Sequence, residues 1–421
     1  MSSTDRTLPR NPNLVLAFLL LAYILNFLDR QLLSILAQPI KESLSLSDTE
    51  FGAIAGLAFA LLYSIAGVPL SLLADRTSRS KVIAGSLAVW SGFTALCGTT
   101  QGYWSLFLCR LGVGVGEAGG VAPSYALIAD YFPPERRGRA LGIFSLGVPL
   151  GLGSGLIAGA YIATYVDWRA AFLIMGVLGL VLVPLFLWAV KDPPRAQGSG
   201  EQVRLGAVFS VVAKKPSFWL LAFAASLSSL VGYGLAVWIP SVFMRSYGLS
   251  LIQAGQFMGS LLLIGGVIGV FAGGLLADRL GHGDKRWYAW LPAVAWLVTV
   301  PCYFFGLTTG NLWLAWLPLA IGNALNILWL GPITTAIQHL VERPMRATAS
   351  ALFLLINNLV GLGVGPLLIG AISDSLRSTY GPDSLRYAAI GALGFYLLAS
   401  LLGLLAARRM ARDWVADTPA Q

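Results

Sequence analysis

The sequence predicts an all-α membrane protein of twelve transmembrane helices, arranged as two pseudo-symmetric six-helix halves. The first observation is composition, because 57% of the 421 residues are hydrophobic and only 11% are charged, whereas soluble domains carry about 25% charged residues. The second is patterning: the charges cluster in short groups between apolar runs of about twenty residues, the length that a helix needs to cross a bilayer. The third is an internal repeat, in which motifs of the first half recur in the second.

Twelve apolar runs define the predicted helices. They lie near residues 14–36, 51–73, 82–99, 104–129, 140–165, 170–190, 218–242, 253–276, 287–306, 312–337, 347–372 and 387–406. Runs of this length exclude a transmembrane β-barrel, whose strands alternate apolar and polar residues over about ten positions. The first run contains charges and is too long for the core of a signal peptide, so we expect it to be retained as helix 1.

Lysine and arginine are distributed unequally between the loops of the two sides. Alternate loops, starting with the N-terminus, carry 21 of the 28 basic residues, and the intervening loops carry five. Basic loops stay cytoplasmic, so both termini are predicted on the cytoplasmic side of a multi-pass protein, with a bacterial inner membrane as the expected location. Orientation and anionic lipid account for the net charge of +9, and no nucleic-acid partner is expected.

The longest loop, residues 191–216, is a predicted cytoplasmic linker that separates an N-terminal half, 1–190, from a C-terminal half, 217–421. The sequence Leu-Leu-Ala-Asp-Arg at 72–76 recurs at 275–279, and Glu-Arg at 135–136 recurs at 342–343. Two six-helix halves in parallel duplication, with the binding site between them, are a transporter architecture.

Four charged residues lie inside the predicted helices: Asp29 and Arg30 in helix 1, and Arg110 and Glu117 in helix 4. An ionised group within the bilayer costs several kcal/mol unless it is paired or faces water, so such residues usually mark a substrate or proton path. The helical rise places Asp29 and Arg110 at similar depths, and the seven-residue spacing places Arg110 and Glu117 on one face, with Gly114 leaving a groove between them.

The four charges sum to zero, so an added anion leaves excess negative charge unless an acid binds a proton. We therefore predict that Asp29 or Glu117 carries a coupled proton, and that Arg30 or Arg110 binds the anionic head of the substrate. The alternative is a salt-bridge cluster that only holds helices 1 and 4 together, although a buried ion pair rarely stabilises more than apolar packing does.

Helices 7 and 10 contain no charge, and with helix 11 they offer aromatic and amide side chains. We expect a substrate cavity lined by Tyr233, Trp238, Asn323, Asn326, Trp329, Asn357 and Asn358. A charged wall facing an aromatic and amide wall suits an amphipathic substrate. The alternative is that the aromatic rings pack against neighbours or lipid and that the amides bond across helices.

The Asp-Arg motifs after helices 2 and 8, Arg110-Leu-Gly-Val-Gly114 in helix 4, and the Gly-Pro stretches 147–151 and 363–366 resemble the major facilitator superfamily over the whole chain. One departure is Ser71, where the first loop motif usually has glycine. Within the superfamily, Asn26-Phe-Leu-Asp29-Arg30 with Gly114-Val-Gly-Glu117-Ala118 resembles the spinster branch of lysolipid and sphingolipid-phosphate transporters.

The resemblance implies that helices 1, 4, 7 and 10 line a central cavity and that the charged loop motifs close its cytoplasmic side. The gate residues implied are Asp75, Arg76, Arg136, Arg139, Asp278, Arg279, Arg343 and Arg346. The alternative is that these charges only set the orientation in the membrane.

These observations predict a proton-coupled secondary active transporter that exposes one site alternately to each side. The resemblance favours a lysophospholipid or sphingoid phosphate as substrate; a small hydrophilic organic anion is the second candidate and a hydrophobic drug, exported by antiport, the third. A channel would need a continuous polar path. An enzyme would need a nucleophile or metal constellation, which we do not find, so we expect no catalytic residue, no metal and no cofactor beyond the proton gradient. The expected partners are the substrate and membrane lipids, with the chain acting as a monomer.

Overall fold

The computed structural model describes residues 10–193, 205–281 and 284–415. Within these ranges the chain is almost entirely helical and contains no strand. The predicted all-α class is therefore confirmed.

Helices up to the linker are α1 Pro12–Ile35, α2 Ala37–Leu44, α3 Asp48–Gly52, α4 Phe59–Arg76, α5 Arg79–Cys97, α6 Tyr103–Ala118, α7 Val121–Tyr131, α8 Pro134–Ser145, α9 Gly147–Tyr165 and α10 Trp168–Ala189. Helices from residue 205 onward are α11 Leu205–Ala213, α12 Pro216–Tyr247, α13 Leu251–Gly281, α14 Trp287–Thr308, α15 Leu312–Ile327, α16 Leu330–His339, α17 Arg346–Asn357, α18 Gly365–Tyr380, α19 Ser384–Ala392 and α20 Gly394–Asp413. Two π-helical stretches, Ala53–Ala58 and Asn358–Val364, join α3 to α4 and α17 to α18. Short 3-10 turns lie at Arg343–Met345 and Gly381–Asp383.

Eleven helical stretches in the described ranges are long and apolar enough to cross a membrane. Ten of them agree one to one with predicted helices 1 to 10. The eleventh, Arg343–Asp413, has 71 residues and contains both predicted helices 11 and 12. At a rise of 1.5 Å per residue it would extend about 105 Å if straight, against a hydrocarbon core of about 30 Å. The stretch is long enough for two crossings, and the count of twelve helices stays a prediction.

Predicted helix 4 is divided in the structure, because α6 ends at Ala118 and α7 begins at Val121. The two residues at the break are glycines, which have low helix propensity. A Cβ atom at Gly119 would overlap the hydroxyl oxygen of Ser86 on α5. The glycine therefore permits close packing of α5 at the break, and Glu117 lies in the last turn of α6.

The helices form two compact units. The first comprises Met1–Pro39 and Ala58–Gly198, and the second comprises Ile40–Leu57 and Ser199–Gln421. In the first unit, α1 packs on α9, and α5 packs on α6 and α10. In the second unit, α12 and α14 pack on α20, and α3 packs on α18. The segment Ile40–Leu57 thus precedes the linker in sequence but packs with the second unit. The whole of α11 lies inside the predicted linker.

Asp48, at the start of α3, fixes this segment within the second unit. Its carboxylate accepts two hydrogen bonds from Arg245, at 2.6 and 2.8 Å, and one from the Ser373 hydroxyl at 2.7 Å. The ammonium group of Lys41 also donates to this carboxylate. Asp48 is fully buried and Lys41 is 6% exposed, so these charges are largely removed from solvent.

Backbone contacts add to this attachment. The Asp374 carboxylate accepts hydrogen bonds from the backbone N–H groups of Asp48 and Thr49, at 3.1 and 2.7 Å. N–H groups in the first turn of a helix have no acceptor within the helix, so this carboxylate supplies one. Cβ atoms at Gly52 and Gly370 would overlap backbone atoms of α18 and α3, respectively. The two glycines therefore allow α3 and α18 to approach closely.

Candidate functional site

The four charges predicted inside the membrane lie together in the first unit. The Nε atom of Arg30 donates to Oε2 of Glu117 at 2.6 Å, and Nη1 of Arg110 lies 3.9 Å from Oδ2 of Asp29. Glu117 is fully buried, and Asp29 and Arg110 are 3% and 2% exposed. The structure thus brings the side chains of Asp29 and Arg110 together, as the helical rise predicts.

Each carboxylate of the site keeps one oxygen without a hydrogen-bond partner among the described residues, namely Oδ1 of Asp29 and Oε1 of Glu117. The other oxygen of Asp29 accepts from the Thr94 hydroxyl at 2.7 Å. Buried polar atoms are nearly always hydrogen-bonded, so the two unpartnered oxygens are unusual. Each can bind a proton without breaking a bond that the structure shows.

Aromatic rings surround the Arg30 guanidinium. Its central carbon lies 4.9 Å from the ring centroid of Phe27 and 4.8 Å from those of Phe59 and Tyr63. Contacts of this kind attract a cation to the ring face. The Arg30 side chain nevertheless retains 15% of its exposure, so it is the most accessible of the four charges.

Gly114 leaves room for the close approach of another group. A Cβ atom there would lie 2.5 Å from the carbonyl oxygen of Phe59. The groove between Arg110 and Glu117 is therefore occupied by the backbone of α4, which explains how Phe59 reaches both arginines: its ring centroid is also 5.3 Å from Arg110.

Two of the predicted cavity amides bond across helices of the second unit. Oδ1 of Asn326 accepts from the Tyr396 hydroxyl at 2.8 Å, and Oδ1 of Asn357 accepts from the Ser229 hydroxyl at 2.9 Å. A Cβ atom at Gly232 would lie 2.7 Å from the amide nitrogen of Asn326. These amides therefore connect α12, α15, α17 and α20, as the alternative interpretation expects.

The two predicted cavity tryptophans lie in the interior of the second unit. Trp238 is fully buried, its indole N–H donates to the Pro366 carbonyl at 2.8 Å, and its ring meets Phe51 edge-on. Trp329 is 7% exposed and lies edge-on to Phe353. Both indoles pack the interior of the second unit, because large aromatic side chains gain more free energy from burial than other residues do.

The remaining three predicted cavity residues are either partly exposed or lie beside a small cavity. Tyr233 is 36% exposed, and Asn358 is half-buried in a π-helical stretch. Asn323 is buried, lines a small cavity with Gly232 and Tyr303, and leaves its amide nitrogen without a hydrogen-bond partner among the described residues. Asn323 thus has a buried amide donor that none of the described residues accepts from.

The charged loop motif of the first unit forms local ion pairs. Arg79, which the resemblance places with the Asp75-Arg76 gate motif, bridges Asp75 at 3.1 Å and Asp130 at 2.5 Å; Asp130 is not among the predicted gate residues. Five of the other predicted gate side chains are exposed, those of Arg76, Arg136, Arg139, Arg279 and Arg343. The Arg346 side chain is half-buried, and its Nη2 atom lies 3.5 Å from Nδ1 of His339. The Asp278 side chain lies outside the described residues. The gate role of this set stays a prediction.

Sequence reasoning missed Thr94, Phe27, Phe59 and Tyr63 at the charged site. All four are neutral and belong to residue types that are common in transmembrane helices. Only their distances to Asp29, Arg30 and Arg110 distinguish them.

The Major Facilitator Superfamily profile matches residues 19–366. The chain is 36% identical over 417 residues to an MFS-type efflux pump of Mycolicibacterium smegmatis, covering 98% of this chain and 96% of that protein. It is 30% identical over 413 residues to protein spinster homolog 1 of Xenopus tropicalis, covering 90% and 78%.

Solved structures agree with these relatives. The crystal structure of a bacterial homolog to the human lysosomal transporter Spinster, inward-facing and unoccupied, matches with a TM-score of 0.86 and 28% identity over 100% of both chains. The occupied form of that homolog matches with a TM-score of 0.83. The chain therefore belongs to the Major Facilitator Superfamily, in its spinster branch, and is an integral membrane transporter and not an enzyme.

Proposed function

We propose that this transporter moves an amphipathic anionic lipid, a lysophospholipid or sphingoid phosphate, by proton-coupled alternating access. The observation that carries the proposal is the buried Arg30–Glu117 ion pair, in which the arginine retains some exposure and the acid retains an unpartnered oxygen. In a pair of this kind, a proton taken up by the acid releases the guanidinium for an anion.

The coupling follows from competition for Arg30. Ionised Glu117 occupies the Nε donor of Arg30, so an anionic head group must compete with the carboxylate. When Glu117 binds a proton, it loses its negative charge and Arg30 becomes available for a phosphate, which guanidinium binds well through paired hydrogen bonds. By linkage, proton binding and substrate binding then strengthen each other by the same factor.

Asp29 and Arg110 form a second, neighbouring ion pair that does not compete for Arg30. Arg110 is nearly inaccessible, and Asp29 is held by Thr94. Their charges balance each other, so the net charge at Arg30 depends on the protonation of Glu117. Among the two predicted proton carriers we therefore favour Glu117, with Arg30 as the head-group ligand.

The direct test is uptake of a labelled lysophospholipid into proteoliposomes, with and without an imposed pH gradient. We expect saturable uptake that rises with the gradient and falls when a protonophore collapses it. Vesicles without protein serve as the control for passive lipid insertion. Flux that equals that of empty vesicles would contradict the lipid assignment, and gradient-driven uptake of a labelled small carboxylate by the same vesicles would then favour the organic-anion alternative.

Arg30→Lys tests the head-group assignment. Lysine keeps the positive charge but lacks the planar donor fork and the stacking of guanidinium on Phe27, Phe59 and Tyr63. Because a hydrogen bond to a charged group contributes about 1.5–3 kcal/mol, we expect the affinity for lysophospholipid to fall by about tenfold to a hundredfold. Equilibrium binding of labelled lysophospholipid measures this, with Arg412→Lys, an exposed arginine at the end of α20, as the matched control. Unchanged affinity in Arg30→Lys would move the head-group role to Arg110.

A second candidate function is export of a hydrophobic drug in exchange for protons. It is favoured by the efflux pump of Mycolicibacterium smegmatis, which is 36% identical over nearly the whole chain. In this alternative, Glu117 or Asp29 would bind the drug and the proton in turn. Gradient-driven accumulation of ethidium in inverted vesicles, unaffected by added lysophospholipid, would support export; competition by lysophospholipid would support one shared lipid site.

A further inference from the structure

Thr94, on α5, supplies the one hydrogen bond that the Asp29 carboxylate accepts from the described residues. The Thr94 hydroxyl donates to Oδ2 of Asp29 at 2.7 Å, while Oδ1 has no partner among these residues. The Nη1 atom of Arg110 lies 3.9 Å from the same Oδ2 atom, which is too long for a hydrogen bond. Thr94 is 2% exposed, so this hydrogen bond is removed from solvent.

The Thr94 hydroxyl is used differently from those of other helical threonines in this chain. A threonine in a helix often donates to the backbone carbonyl three or four residues earlier. Thr299, which is fully buried on α14, donates in this way to the Ala295 carbonyl at 2.8 Å, and Thr164 donates to the Ala160 carbonyl at 2.7 Å. A hydroxyl has one hydrogen to donate, and Thr94 donates it to a carboxylate on another helix.

Close helix packing fixes the backbone that carries this hydroxyl. A Cβ atom at Gly116 on α6 would overlap the backbone nitrogen of Trp90, and one at Gly176 on α10 would lie 2.5 Å from the backbone nitrogen of Ala95. Trp90 and Ala95 lie on α5, one turn before Thr94 and one residue after it. α5 is therefore held by α6 and α10 at the level of Thr94.

The hydrogen bond from Thr94 favours the ionised form of Asp29. A hydroxyl donates more strongly to a carboxylate than to a neutral carboxylic acid, because a charged acceptor makes the stronger hydrogen bond. Without this donor, ionised Asp29 would be a buried carboxylate that accepts no hydrogen bond from the described residues. A buried charge in that situation tends to be neutralised by binding a proton.

The groups around Asp29 act on its protonation in opposite directions. Those within electrostatic reach are Arg30 on α1, Cys97 on α5, and Arg110 and Glu117 on α6. The helices α9 and α10 also pack on α1; α9 contains no charged residue, and the only one on α10 is Arg169, which donates to the Thr100 carbonyl at 3.2 Å. Burial favours the neutral acid and the arginines oppose it, so one hydrogen bond can decide the balance.

We propose that Thr94 is a positioning residue that keeps Asp29 ionised, so that Glu117 alone binds and releases the coupled proton. The inference rests on the proposed function of Glu117 as proton carrier, and it explains why the second buried acid does not titrate with the first. With Asp29 ionised, its charge balances that of Arg110 throughout the cycle. Loss of the Thr94 hydroxyl should therefore create a second proton-binding group at the site.

Thr94→Val removes the donor at nearly unchanged shape. The measurement is infrared spectroscopy of the full chain in lipid, over the pH range in which uptake responds to the gradient. In wild type we expect a carboxylic acid band that Glu117→Gln removes, and none that Asp29→Asn removes. In Thr94→Val we expect a second band, absent when Asp29→Asn is added, because the affinity of Asp29 for a proton should rise by about tenfold to a hundredfold.

Thr299→Val is the matched control, since the hydroxyl that it loses donates within its own helix. We expect its spectrum to match that of wild type. Thr94→Ser should also keep the wild-type spectrum, because serine retains the hydroxyl. If Thr94 served packing alone, valine would fill the same space and no second band would appear.

Two results would overturn the inference while leaving Glu117 as the proton carrier. One is a wild-type band that Asp29→Asn removes, because Asp29 would then titrate despite Thr94. The other is the absence of a second band in Thr94→Val. If wild type shows no band that Glu117→Gln removes, Glu117 does not titrate, and the proposed function and this inference fail together. The two failures are thus distinguishable.

Discussion

In the Glu117→Gln variant, lysophospholipid uptake into proteoliposomes should lose its response to an imposed pH gradient while lysophospholipid binding is retained. Glutamine has the shape of protonated glutamic acid and cannot release a proton. The Nε donor of Arg30 then no longer faces a carboxylate at position 117. Gradient-driven accumulation should disappear, and exchange of labelled for unlabelled lipid across the membrane should persist.

Binding measurements give the second signature of this variant. Wild-type affinity should weaken as pH rises, because ionised Glu117 competes for the Nε donor of Arg30. The variant should bind with one affinity at every pH, and at high pH it should bind about tenfold to a hundredfold more tightly than wild type, since a charged hydrogen bond contributes about 1.5–3 kcal/mol.

Glu135→Gln is the matched control for Glu117→Gln. Glu135 is an exposed acid in the first turn of α8, in the same unit, so the same substitution should leave both gradient dependence and affinity unchanged. If Glu117→Gln keeps its full pH-dependent uptake, Glu117 does not carry the proton, and Asp29 becomes the candidate.

The sequence predicts the charged half of this site because charge is conspicuous in an apolar helix. Asp29, Arg30, Arg110 and Glu117 stand out in runs that otherwise contain only neutral residues, and helical geometry alone indicates that they can meet. Neutral partners carry no such signal. Thr94 is one of many threonines in the chain, and its importance follows only from the 2.7 Å hydrogen bond to Asp29.

For aromatic and amide residues, the sequence pattern marks the positions but does not show what each side chain does. Trp238 and Asn326 fit a helical face that could line a cavity, yet the structure uses the first for interior packing and the second for a hydrogen bond to Tyr396. The same residue types serve both purposes in membrane helices, so the pattern cannot separate them. Packing partners that are 70 or more residues away decide the outcome.

The charge and hydropathy pattern of the sequence also does not predict that Ile40–Leu57 packs with the second unit. Lys41 and Arg245 count only as loop charges in the topology argument, and Asp48 precedes the predicted second helix at 51–73. Asp48 and Arg245 are 197 positions apart, and no local periodicity connects residues at that distance. Only the contacts in the structure show that Lys41, Asp48 and Arg245 form one buried cluster.

Asp48→Asn should lower the free energy of unfolding by about 3–5 kcal/mol, the cost of removing one partner from a buried ion pair. The cationic groups of Lys41 and Arg245 would then face each other without the carboxylate that separates them. Burial lowers the pKa of Lys41, Arg245 lowers it further, and Asp48 opposes both effects. Denaturant titration of the full chain in mild detergent measures the loss.

Asp130→Asn is the control that separates buried from exposed charge. Asp130 also pairs with an arginine, Arg79, but its side chain is 33% exposed, so its loss should cost about 1 kcal/mol or less. Adding Lys41→Met to Asp48→Asn should recover part of the stability, because a buried cation without its partner is replaced by an apolar side chain of similar length. Equal losses in Asp48→Asn and Asp130→Asn, with no recovery in the double variant, would mean that solvent reaches Asp48 and that close packing of α3 on α18, not the ion cluster, holds Ile40–Leu57 in the second unit.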